Sequence, residues 1–174
     1  MKGIGLGIGR AFVIRLQEGE VLHEAIETFC RENGVLHASV TLTGAVGPGS
    51  VMVSGPKVPL GDIIEPQLVS LTEPCELTGA GTVFPDEDGN PLVHLHGSVG
   101  RKGFVATGDL HPRVVVWLVM EVVITELVGQ GPVRVESDPR LKGKLLEVRR
   151  WHPKRFSGRP CITQTANRSR SSRT

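Results

Sequence analysis

At 174 residues, with 39% hydrophobic and 22% charged side chains, the chain has the length and composition of one globular domain, which sets aside disordered and fibrous classes. Its net charge of +2 conceals an asymmetry: residues 1–141 hold ten Lys/Arg against seventeen Asp/Glu, a net of −7, whereas residues 142–174 hold ten against one, a net of +9. Cys30, Cys75 and Cys161 are widely spaced with no CxxC pair, which argues against a disulfide framework or a cysteine zinc site and for a reducing, cytoplasmic location.

The opening MKGIGLGIGR has glycine at alternate positions and no apolar run long enough for a signal peptide or membrane helix, so residues 1–10 read as a flexible leader. Its glycines neither follow a strand nor open a helix, which disfavours a dinucleotide loop. Phe12, Ile14 and Leu16 alternate with Val13 and Arg15, predicting a strand over 11–16. In 20–33, Leu22, Ala25, Ile26, Phe29 and Cys30 form one helical stripe, with Glu18 and Glu20 at the positive end and Gly34 placed to end the helix. His23 then falls on the solvent side of the helix, and His37 on the polar side of the strand that alternates from Leu36 to Thr43.

From Gly44 onward the chain reads as strands and turns, with strands predicted at 50–54, 67–71, 75–84, 92–99, 104–110 and 114–127 and a hairpin loop at 86–90. The run VVVWLVMEVVITEL (114–127) is too short to span a bilayer, and its Val and Ile density predicts a strand buried on both faces. A last strand is predicted near Leu145 to Val148. One helix against a mostly antiparallel sheet is an α+β fold, with the domain over 11–150 and a basic, disordered tail over 151–174.

The chemically informative segment is ValHisLeuHis, residues 93–96, in which the strand pleat puts His94 and His96 on one face, about 7 Å apart along the backbone. Downstream, Asp109 and His111 of GlyAspLeuHis again share a face, and a hairpin through 100–103 would bring one of them beside the pair. Three side-chain ligands with one position left for water is the pattern of an open divalent-metal site, zinc first among the candidates. Glu121 interrupts the apolar run, and a buried carboxylate needs a partner; Arg15, the one charge in the first strand, is that partner. Ser54, Ser98 and Thr107 belong to no visible triad, and no catalytic residue is identified.

The segments FVIRLQEGEVLHEAIETFCRENGV, SVTLTGAVGPGSV and SLTEPCELTGAGTVFPDEDGNPLVHLHGSVGRKGFVATGDL, followed by MEVVITEL, resemble the plant-and-prokaryote-conserved (PPC) domain, most strongly around HisLeuHis. The resemblance spans residues 11–127 and implies a homotrimer whose histidine cluster can hold a metal such as zinc; it also implies an acidic residue near the histidines at the place of Glu121. Where family members carry GlyGlyHisLeu, this chain reads ThrGlyAspLeu, which puts Asp109 at the expected histidine; carboxylate oxygen is also a competent zinc ligand. The open position could take a small ligand, and the enzyme alternative is a metal-dependent hydrolase with Glu121 or Asp109 as base.

The plant members, which join the domain to AT-hooks, suggest a second alternative in DNA binding. Lys154, Arg155, Arg159, Arg168, Arg170 and Arg173 supply phosphate-neutralising charge, while SerGlyArgPro at 157–160 is an incomplete AT-hook core.

Overall fold

A computed structural model describes residues 1–58, 63–141 and 143–151. It contains one helix, α1 (Leu22–Glu32), and strands β1 (Gly7–Gln17), β2 (Ala38–Val46), β3 (Val51–Pro56), β4 (Pro66–Ser70), β5 (Cys75–Pro85), β6 (Pro91–Arg101), β7 (Phe104–Leu110), β8 (Val116–Val128), β9 (Val133–Val135) and β10 (Leu145–Glu147). Eight strands form one antiparallel sheet in the order β1-β8-β2-β5-β6-β7-β3-β4, and β9 and β10 pair as a separate ribbon. The fold is α+β, as the periodicities require.

Period-two patterning sorts the sheet into two faces. Leu16, Val40, Leu42, Leu77, Val83, Leu95, Val99, Met120, Val122 and Ile124 turn inward and join Leu22, Ile26 and Cys30 of α1 in one continuous core. The helix ends in a Schellman arrangement: the Gly34 amide donates to the Arg31 carbonyl and the Val35 amide to that of Cys30, while Val35 and Cys30 are both fully buried.

Two elements differ from the sequence reading for identifiable reasons. β1 begins at Gly7 because Arg10 grips Glu126 of β8 through Nε and Nη2, at 2.7 Å each, across an irregularity in the pairing between Ile8 and Ala11. β8 is not buried on both faces. Its inward Met120, Val122 and Ile124 are fully covered, whereas Glu121 and Val123 are exposed, because none of the described residues forms a second layer over this part of the outward face. The strand also carries a bulge at Leu118 (φ 61), and the facing Gly44 must be glycine because a Cβ there would lie 2.4 Å from the Val119 carbonyl oxygen.

After β8 the chain folds back over one end of the outward face. Val133, Val135 and Trp151 pack with Leu36 into a small second core, and Lys144 Nζ pairs with Asp86 Oδ2 at 3.1 Å, tying this arm to the 86–90 hairpin. The expected disordered tail lies, from residue 152 onward, outside the described residues. Among the described residues no helix is long and apolar enough to cross a membrane.

Candidate metal centre

The register of the β6/β7 hairpin decides which groups meet. Arg101 pairs with Phe104 across Lys102 (φ 46) and Gly103 (φ 83), a two-residue turn with both central residues in the left-handed region. Counting back along the ladder sets His96 opposite Asp109. His94 would face His111 if the ladder continued, but β7 ends at Leu110. His111 donates its amide to the Val51 carbonyl of β3, and its Nδ1 accepts from the Arg113 amide at 3.3 Å, while Pro112 cannot donate to any ladder. The alternation that put Asp109 and His111 on one face therefore stops one residue too early for His111.

His94, His96 and Asp109 are brought together: one ligand atom from each lies within 4.8 Å of the others. The two imidazole rings have centroids 5.1 Å apart, tilted by 40°. Around an ion with bonds of about 2.0–2.1 Å, tetrahedral donors sit roughly 3.3 Å apart, so small side-chain rotations would close the set. Two imidazoles and one carboxylate suit zinc, and three protein donors leave a fourth position for water or ligand. His94 is held below the usual histidine range by the protein packed against it, with Arg134 and His96 adding to the effect and Asp109 opposing it. A depressed pKa keeps the ring neutral, the form that ligates a metal.

Glu121 and Arg15 do not form the buried pair that the sequence suggested. They are cross-strand partners on β8 and β1, but both are exposed and no ion pair joins them, because none of the described residues covers this stretch of the outward face. Glu121 also stands three strands from β6, too far to serve as a base at the histidines. Ser98 and Thr107 hydrogen-bond each other across β6 and β7 at 2.8 Å. Lys154, Arg155, Arg159, Arg168, Arg170 and Arg173 lie outside the described residues.

Among the described residues, no strand pairs with the N-terminal half of β6 on that side beyond the end of β7. Glu27 of α1 fills part of the gap, its Oε1 accepting from the Val93 amide at 3.0 Å. The remainder is a cavity of about 320 Å³ beside His94 and Asp109, lined also by His23, Arg134 and Lys144. His23, expected at the surface, is buried, and desolvation lowers its pKa to about 4, with His111 and His94 contributing. The helix is rotated so that His23 shares a stripe with Ile26 and Cys30, an i, i+3, i+7 spacing that the sequence does carry. His37 is likewise buried, bonded through Nε2 to the Pro132 carbonyl at 3.2 Å beneath the returning arm.

Arg134 is the residue that sequence reasoning missed. Within ValArgVal it reads as the solvent side of a strand, yet it is only 6% exposed. Its Nη2 donates to Thr82 Oγ1 at 3.0 Å, and its guanidinium lies 5.7 Å from the Phe84 ring centroid. Burial pulls its pKa down and the Asp109 carboxylate opposes the shift. Thr82 is the cross-strand partner of His94, which sets the guanidinium next to the histidine pair.

No curated protein matches the chain in sequence. Among solved structures, a metal-containing protein from Archaeoglobus fulgidus is 28% identical, with a TM-score of 0.72 over 84% of this chain and 99% of that one. A PPC protein from Pyrococcus horikoshii is also 28% identical, with a TM-score of 0.71 over 84% of this chain and 97% of its own. A protein from Bacteroides thetaiotaomicron, described as a supposed DNA-binding protein, shares the fold at 20% identity and a TM-score of 0.65, covering 82% of this chain and 97% of that one. The family model for the Plants and Prokaryotes Conserved (PCC) domain matches residues 5–128, the stretch that runs from the start of β1 through the histidine strand to the end of β8. With that match over most of its length, the chain belongs to the Plants and Prokaryotes Conserved domain family, the PPC domain.

Proposed function

We propose that this PPC domain binds one divalent metal ion per chain, zinc by its donor set, through His94, His96 and Asp109, and that it works as a homotrimer in the cytoplasm. The observation that carries the metal reading is the convergence of the three donor atoms within 4.8 Å on paired strands. The relative from Archaeoglobus fulgidus, itself metal-containing, supports the reading. When bound, a divalent ion would supply Lewis acidity and an open coordination position. The chain's own residues supply two imidazoles, a carboxylate and, close by, a buried cation.

Purified protein should carry close to one zinc per chain by elemental analysis, and a His94→Ala, His96→Ala double variant should carry almost none. Equal metal in both would refute the site.

Self-association is supported by the uncovered outward face, where the cross-strand pair Val13 and Val123 is 78% and 41% exposed and Val105 is 70% exposed. Three chains is the family's expected number. Light scattering on the eluted protein should return three times the chain mass, and a monomer would remove this part of the proposal.

The basic tail favours a second reading, nucleic-acid contact. Its charge of +9 over residues 142–174 could neutralise phosphates in a salt-dependent, sequence-independent manner. Deleting residues 152–174 should abolish retention on DNA at low salt; no retention of the full chain under those conditions would dispose of this reading.

A further inference from the structure

The cavity beyond the end of β7 is lined by two buried polar side chains, each with an atom that has no hydrogen-bond partner among the described residues. Arg134 is 6% exposed, and its Nε has no hydrogen-bond partner among the described residues. His23 is also 6% exposed, and its Nδ1 is in the same state. A buried polar atom without a partner costs about 1–3 kcal/mol, more when charged, so two residues that carry such atoms and line one cavity point to a ligand there. The cavity, at about 320 Å³, lies at the lower end of the range for small-molecule sites, about 300–1,000 Å³.

Charge identifies the class of ligand. Lys144 is already paired with Asp86, while among the described residues Arg134 makes the neutral bond to Thr82 and the ring contact with Phe84. Glu27 is spoken for by the Val93 amide, and Asp109 faces the histidines. With a divalent ion at Asp109, the ion's charge and that of Arg134 together offset the carboxylates of Glu24, Glu27 and Asp109, so the bound ion turns an acidic lining into one that admits an anion. Guanidinium forks suit the spaced oxygens of carboxylate and phosphate.

We propose that this cavity binds a small oxyanion, a carboxylate or phosphate group, held by Arg134 and His23 directly beside the His94, His96 and Asp109 centre. The inference rests on the metal reading, since without the ion the acidic lining of Glu24, Glu27 and Asp109 opposes an anion. Arg134 and His23 are binding residues in this arrangement, and neither is a metal ligand.

Calorimetric titration of the full chain with pyruvate and, separately, with inorganic phosphate tests the idea, with zinc content measured on each sample. Zinc-loaded protein should bind at least one of the two saturably, and the one preferred identifies the oxyanion. Affinity should fall at least tenfold in Arg134→Gln, recover in part in Arg134→Lys and fall in His23→Gln, all at unchanged zinc stoichiometry. Should Arg134→Gln lose its cooperative melt, the His23→Gln variant carries the comparison. No saturable binding to zinc-loaded protein, or equal binding by the variants, overturns the oxyanion site and leaves the metal site standing. If the wild-type chain holds no zinc, the metal reading fails by itself. Oxyanion binding that depends on Arg134 in that metal-free chain would then uphold this site, and its absence would overturn it.

Discussion

Two polar clusters occupy the same outward face of one sheet, and they have different fates. His96 and Asp109 are cross-strand partners on β6 and β7, and Arg15 and Glu121 are cross-strand partners on β1 and β8. Register alone makes the two pairs equivalent. The first, however, lies where β7 stops short and the arm that carries β9 folds over the sheet, so Arg134 and His23 close in around it. The second lies where none of the described residues covers the strands, so within the single chain Arg15 and Glu121 are exposed and no ion pair joins them. Adjacent register positions create the opportunity for a site; a third layer of structure, by removing water, makes the groups answer to one another.

Substitutions on the two clusters test that contrast. The largest effect is expected beneath the histidines, at Leu95, which is fully buried on the inward face between them. Leu95→Ala should cost about 2–5 kcal/mol in denaturant unfolding and loosen both imidazoles together. A cost below about 1 kcal/mol would mean that the core does not set the histidine strand.

His23 gives the next effect, through pH. Its folded pKa of about 4 lies below the ordinary 6.5, so the unfolded chain takes up a proton first as pH falls. The stability that neutral His23 contributes is therefore complete above about 6.5 and is lost between there and about 4. At 1.36 kcal/mol per pKa unit the loss is at most about 3 kcal/mol. In chelated protein, His23→Gln should flatten the unfolding free energy across this window, and an unchanged slope would contradict the burial of the ring.

Zinc should stabilise the folded chain by about 2.7 kcal/mol at a free concentration one hundred times its dissociation constant, read as a rise in melting temperature. The rise should vanish in the His94→Ala, His96→Ala double variant; a rise of the same size there would place the ion elsewhere.

The smallest effect is expected at the uncovered pair. Glu121→Gln should change stability by less than about 0.5 kcal/mol and leave zinc content untouched, because exposed charges without a fixed partner contribute little. A loss above about 2 kcal/mol would restore the buried pairing with Arg15.

Much of this molecule is legible from residue order. Alternation of Phe12, Ile14 and Leu16, the 22-26-30 stripe and the face shared by His94 and His96 depend only on local backbone geometry, which each residue's neighbours impose. Arg134 illustrates the converse. ValArgVal reads as an edge with its arginine in solvent, and only the return of β9 against Thr82 and Phe84 buries it. The same holds for the choice between Asp109 and His111, two residues apart and alike in local pattern, which turned on where β7 ends against its neighbours.

Sequence by itself thus determined the class of fold, the histidine strand and the charge asymmetry, because these follow from periods of two and 3.6 and from composition. Tertiary structure decided which donors converge, that Glu121 stays wet and that His23 and Arg134 are dry. Those outcomes depend on which distant segments remove water from a given side chain, and no local pattern encodes that.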